Sequence, residues 1–207
     1  MIFQPKIEEY LMQVTPERAA VMQEMETYAT EQGFPIVGPL VGRFLYQMAK
    51  AIEARRVLEL GSGFGYSASW FALAMGDRGN ITMIDGSEDN RNRALDYFAR
   101  AGLQTKVKFK VGDAFEVLTE IDKKYDIVFN DIDKERYPET IDPAAFRLRR
   151  GGLFITDNLL WSGRVCEEPK DEATSGVVEF TKRLYADSRF FTTILPLRDG
   201  VALAVRL

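Results

Sequence analysis

LELGSGFGYS, residues 58–67, begins as a short apolar run and ends in helix-forming residues, with Gly61, Gly63 and Gly65 between. In doubly wound sheets ligands bind beyond the carboxyl ends of the strands, and glycines after the first strand let a ligand approach the backbone. The loop is therefore a candidate ligand site, and RVLEL (56–60) is the first strand of such a sheet.

The rest of the chain supports this. ITMID (81–85), VKFKV (107–111), DIVFN (126–130) and LFIT (153–156) are further β-rich runs. They alternate with helix-like segments that start near Tyr66, Ser87, Ala114, Tyr137 and Asp171. This alternation predicts a Rossmann-like, doubly wound α/β fold with helices on both faces of a mostly parallel sheet. FFTTILPL and VALAVRL, joined by RDG, predict a closing antiparallel hairpin, which brings the sheet to seven strands. Upstream, Thr15-Pro16-Glu17 reads as the start of a helix over 16–32 that stops at Gly33, and a second helix is expected over 40–52. The interior segment 162–176, SGRVCEEPKDEATSG, reads as a polar loop.

The chain has 207 residues, 46% of them hydrophobic, which suits one domain over 1–207. A formal net charge of -4 argues against nucleic acid or an anionic membrane as a partner and accommodates a small neutral or cationic one more easily. Cys166 is the single cysteine, so no intrachain disulfide can form, and no basic, apolar leader opens the chain. A cytoplasmic location is expected. Histidine is absent, which excludes Ser-His and Cys-His mechanisms and His-ligated zinc. Proton transfer must use Lys, Tyr, Asp, Glu or water.

Two strand tips carry further chemistry. The glycine spacing is one residue short of the dinucleotide fingerprint; Glu59 lies within the strand end, and Asp85 ends the next strand where a ribose diol needs an acceptor. NAD and S-adenosylmethionine (SAM) binders share these features, and a tight turn without a ligand is the plain alternative. Asp113 can cap the helix that follows it or accept from an adenine amino group, with Ala114 leaving room for the ring. DIVFNDIDK (126–134) places Asp131 at one tip, and ITDNLLW (155–161) places Asp157 and Asn158 at another. In a parallel sheet both tips face one crevice, so these three oxygen donors suit a hard cation such as Mg²⁺, Ca²⁺ or Mn²⁺. Capping and turn formation are the simpler roles for each acid alone. Lys134 is either a solvated helix opener or, with a cation disfavouring its protonated form, a general base.

Together, LELGSGFGYS, ITMID, DIVFNDIDK, GGLFITDNLLWSG and LPLRDGVALAV resemble the cation-dependent class I O-methyltransferases, the caffeoyl-CoA and catechol O-methyltransferases and their short bacterial relatives, over roughly residues 33–207. The resemblance implies SAM against Val37, Glu59, Gly61, Ser62, Ser67, Asp85 and Ala114, with Asp133 near its methionine end. It implies a metal on Asp131, Asp157 and Asn158, and Lys134 as base. A catechol-like acceptor and a homodimer follow from it as well. Residues 1–52 are expected to cover the site, and Tyr137, Trp161 and Ser162 are candidates to touch the acceptor. Asn130, Ile132 and Ser162 depart from the residues usual in the family. A SAM-binding module without catalysis and, less favoured, an NAD-dependent oxidoreductase are the alternatives.

Overall fold

The computed structural model describes residues 5–103 and 106–207, so the first four residues of the expected domain lie outside it. Helices α1 (Pro5–Val14), α2 (Ala20–Gln32) and α3 (Gly38–Ala51) precede the sheet. Then follow β1 (Arg56–Leu60), α4 (Tyr66–Met75), β2 (Asn80–Asp85), α5 (Glu88–Arg100), β3 (Val107–Val111), α6 (Ala114–Thr119) and β4 (Tyr125–Asn130). The second half holds α7 (Ile141–Arg147), β5 (Leu148–Thr156), α8 (Glu172–Ala186), β6 (Phe190–Leu195) and β7 (Val201–Arg206).

The seven strands lie in the order β3-β2-β1-β4-β5-β7-β6. β1 pairs in parallel with β2 and β4, whereas β7 runs antiparallel to both β5 and β6. Successive side chains of a strand point to opposite faces. Val57, Ile127 and Phe129 accordingly join the core under α2 to α5, while Leu58, Leu60 and Val128 join the core under α6 to α8. The α4 sequence YSASWFALAM is apolar on every side because the helix is enclosed, with only Leu73 and Met75 not fully buried. Gly42 of α3 admits the Trp70 indole, which a Cβ there would overlap at 2.1 Å.

Four local readings need correction. Thr15 does not cap α2: its hydroxyl donates to Leu11 O at 2.7 Å and closes α1, a helix the sequence did not suggest. α2 starts at Ala20, and Arg18 just before it pairs with Glu26 of the same helix, with Nε to Oε1 at 3.0 Å. α3 begins at Gly38, with Pro39 in its first turn. The segment near Tyr137 is a 3-10 stretch, Lys134–Thr140, containing Pro138, and the α-helix starts only at Ile141. The polar segment is mostly ordered: Trp161–Cys166 forms 3-10 turns, and Asp171 accepts from Thr174 N at 2.6 Å to start α8. Among the described residues no helix is long and apolar enough to cross a membrane.

Candidate active site

The strand order reverses between β1 and β4, and a crevice opens at that point beyond their carboxyl ends. A cleft of about 540 Å³ occupies it. Its base is closed by backbone: Asp131 N donates to Leu60 O at 2.9 Å, and Gly61 N and Ser62 N both donate to Ile84 O at 3.0 Å. Gly61 has φ +77°, and a Cβ there would sit 2.4 Å from the carbonyl oxygen of Asp131. Only glycine lets the two loops meet.

One end of the cleft is lined by Gly63, Asp85, Asp113 and Ala114. Asp85 accepts from Gly63 N, Ser87 N and Asn90 Nδ2, each at 2.9 Å, which joins the glycine loop to the start of α5. Asp113 caps α6, accepting from Phe115 N at 2.9 Å and Glu116 N at 3.2 Å. Its other oxygen is held by Arg136, whose guanidinium also lies 4.3 Å from the Phe115 ring centroid. That ion pair holds the Asp113 carboxyl below the usual range.

At the other end Asp131, Lys134, Asp157 and Asn158 come together as the strand tips require. Lys134 Nζ donates to Asp131 Oδ1 at 2.7 Å and to Ile132 O at 3.2 Å. Asp157 is 1% exposed, and its Oδ1 has no hydrogen-bond partner among the described residues. Burial, and then the charge of Asp131, pushes the Asp157 carboxyl up to about 7. Burial also raises the Asp131 carboxyl, against the opposing pull of Lys134. An orphaned, buried carboxylate oxygen beside a second carboxylate fits a divalent cation, which would neutralise both. No cluster of three or more Cys, Asp or Glu donors occurs among the described residues; the Asn158 side chain lines the same end of the cleft. Asn158 adopts φ +64°, a left-handed conformation that asparagine tolerates better than most residues.

Val37, Ser62, Ser67, Asp133 and Trp161 line the same cleft, but Glu59, Tyr137 and Ser162 do not. Glu59 is fully buried beneath the loop, where it accepts from the Ser67 hydroxyl, and burial pushes its carboxyl up to about 8. Tyr137 is the floor and not the wall: its ring packs edge-on to Phe180 at 5.4 Å, and its hydroxyl donates to Asp157 O at 3.0 Å. Ser162 gives its backbone N–H to Asp199 Oδ1 at 2.5 Å.

Sequence reasoning missed Phe34, Ile36, Tyr66, Arg136 and Arg198, all of which line the cleft. Tyr66 donates to Glu26 Oε1 at 2.7 Å, so the Arg18–Glu26 pair ties α2 to the glycine loop. Arg136 follows Lys134 by two positions and could have been proposed with it. Phe34 and Arg198 carry no local signal, since they arrive from distant turns.

Comparison with known proteins agrees with this geometry. The family model described as O-methyltransferase matches residues 12–207. Caffeoyl-CoA O-methyltransferase 3 of Nicotiana tabacum is 32% identical, covering 94% of this chain and 86% of its own. Catechol O-methyltransferase of Niastella koreensis is 32% identical, covering 84% and 85%. Among solved structures, an O-methyltransferase from Bacillus cereus in complex with S-adenosylhomocysteine (SAH) superposes with TM-score 0.89 at 26% identity, covering 98% and 97%. TomG from Streptomyces achromogenes, in complex with SAM, gives 0.89 at 26% identity, covering 97% and 96%. These matches exclude the dehydrogenase alternative and agree with the shortened glycine spacing. The chain belongs to the O-methyltransferase family and is a SAM-dependent O-methyltransferase.

Proposed function

We propose that the enzyme methylates one hydroxyl of a catechol-like aromatic acceptor with the help of a divalent cation, Mg²⁺ in the first instance, held by Asp131, Asp157 and Asn158. The observation that carries this is the unpartnered Asp157 Oδ1, buried beside Asp131, whose own carboxylate accepts from Lys134 Nζ. The names of the tobacco and Niastella relatives point the same way.

When bound, the cation supplies charge withdrawal from two adjacent hydroxyls, favouring ionisation of a phenol whose free pKa is about 10. Lys134, in the neutral form that a neighbouring divalent charge favours, would take the phenolic proton at Nζ. The phenolate oxygen forms a bond to the methyl carbon as the carbon–sulfur bond breaks and its electron pair leaves on sulfur. A methyl ether and SAH result. Gly61, Ser62, Ser67, Val37, Asp85, Ala114 and Asp133 hold the donor, with Glu59 acting through Ser67 and Asp113 through the cleft wall it shares with Arg136. Their contribution is alignment, holding oxygen, carbon and sulfur in line in a dry site. Trp161 borders the acceptor.

The same reading makes residues 1–207 one methyltransferase domain in which the segment 1–52 covers the site; Phe34 and Ile36 in the cleft lining support it. A cytoplasmic homodimer completes the proposal, and Phe191, 68% exposed on edge strand β6, is an apolar surface available to a second copy. The test is transfer of labelled methyl from SAM to ortho-dihydroxyphenyl compounds, with Mg²⁺ and with a chelator in parallel. Transfer that needs the metal is expected, and Asp157→Ala should abolish it while SAH still binds. Full turnover in a folded Asp157→Ala protein would overturn the metal role. SAH binding without transfer to any of these compounds would overturn the catechol-like acceptor.

A further inference from the structure

Three cationic side chains line the cleft, and two of them are spoken for: Lys134 pairs with Asp131, and Arg136 pairs with Asp113. Arg198 makes no ion pair among the described residues. It is nevertheless held in place. Its backbone has φ +51° in the turn between β6 and β7, and the neighbouring residues Asp199 and Gly200 accept from Leu160 N at 2.8 Å and Leu159 N at 2.9 Å. Its Nη1 donates to Ile36 O at 2.5 Å, across 162 positions of sequence. The guanidinium carbon would lie 3.9 Å from a Cβ at Gly38, so the head group sits over the start of α3. One N–H is committed to this tether. The remaining donors have no protein acceptor within hydrogen-bond reach among the described residues.

A guanidinium presents its N–H groups as a planar fork that matches a carboxylate, and a charge-assisted pair of this kind exceeds an ordinary hydrogen bond in strength. We propose that Arg198 is a carboxylate-binding residue at the mouth of the cleft. This rests on the methyltransferase reading, which provides two sources of a carboxylate: the amino-acid end of the methyl donor, and an acidic substituent on the acceptor ring. The net charge of -4 does not oppose it. Net charge describes the whole surface, whereas recognition depends on the groups that face the ligand.

Matched ligand pairs that differ only in a carboxylate test the proposal in the full-length protein. The first pair is SAM and decarboxylated SAM. The second, titrated into protein loaded with SAH and Mg²⁺, is 3,4-dihydroxybenzoate and 1,2-dihydroxybenzene. Affinities are measured by calorimetry for wild type, Arg198→Met and Arg198→Lys. In one pair, wild type should favour the carboxylate-bearing member by about tenfold or more. Arg198→Met should erase that preference while leaving the decarboxylated member's affinity unchanged, and Arg198→Lys should restore only part of it. Loss in the first pair assigns the site to the donor, and loss in the second assigns it to the acceptor. A mere loss of the Ile36 tether would weaken both members of a pair equally. Preferences that survive Arg198→Met in both pairs would overturn the proposal. Failure of the catechol reading shows separately, as absence of methyl transfer to either dihydroxy compound, and the SAM pair still reports on Arg198 in that case.

Discussion

Asn158 and Asp199 stand 41 positions apart and meet through Asn158 Nδ2, which donates to Asp199 Oδ2 at 3.5 Å. The other Asp199 oxygen accepts from Ser162 N. The amide nitrogen of Asn158 is thereby drawn toward the β6–β7 turn, and in the proposed metal role its carbonyl oxygen would be the ligand. Partners of this kind, standing behind a metal ligand, orient it, and losing one commonly costs ten- to a hundredfold in affinity. Asp199→Ala is therefore expected to weaken Mn²⁺ binding by roughly that factor, read by electron paramagnetic resonance, with SAH affinity unchanged. Equal Mn²⁺ affinity in both proteins would refute the orienting role.

Gly61→Ala tests the join between β1 and β4. The added methyl would meet the Asp131 carbonyl at 2.4 Å and force a non-glycine residue to φ +77°. Backbone strain of this kind costs on the order of 1–3 kcal/mol, before the clash is relieved. Lower thermal stability is expected together with weaker SAH binding, because the loop that lines the cleft must withdraw. Unchanged values for both would show that the loops can separate freely.

Lys134→Met removes the one basic side chain bonded to Asp131 among the described residues. General-base catalysis contributes typically 10²–10⁴-fold, so single-turnover methyl transfer at saturating ligands should fall on that order and its pH dependence should flatten. Calorimetric SAH affinity should stay near wild type. A variant with wild-type rate would remove Lys134 from the proton transfer.

Glu59 gives a pH signature in stability. Its carboxyl is raised from 4.5 to about 8 by burial, so the folded protein keeps the proton through a range in which the unfolded chain releases it. The contribution to stability is complete below about 4.5 and is lost as the pH rises through about 8. Glu59→Gln carries no such proton. Its stability relative to wild type should rise between pH 5 and pH 8, by on the order of 1 kcal/mol per pH unit, in urea unfolding. A constant difference across that range would mean that Glu59 is ionised in the fold.

The sequence by itself determined the strands, the glycine loop and the acids at the strand tips. Each depends on residues close in the chain: the near-continuous buried runs in RVLEL and DIVFN, the turn at Gly61 to Gly65, the caps at Ser87, Asp113 and Asp171. The cluster of Asp131, Lys134, Asp157 and Asn158 was legible for the same reason, since neighbouring parallel strands end on one side. Only the tertiary structure decided that Gly61 touches Asp131, that Tyr137 and Glu59 lie beneath the cleft, and that Phe34, Arg198 and Asp199 reach it. Those relationships follow from strand order and from turns that meet across more than a hundred residues, as in the Arg198 to Ile36 hydrogen bond. Local propensity carries no record of such contacts. The expected cap at Thr15 failed for a local reason, because its hydroxyl is taken by Leu11 O at the end of α1.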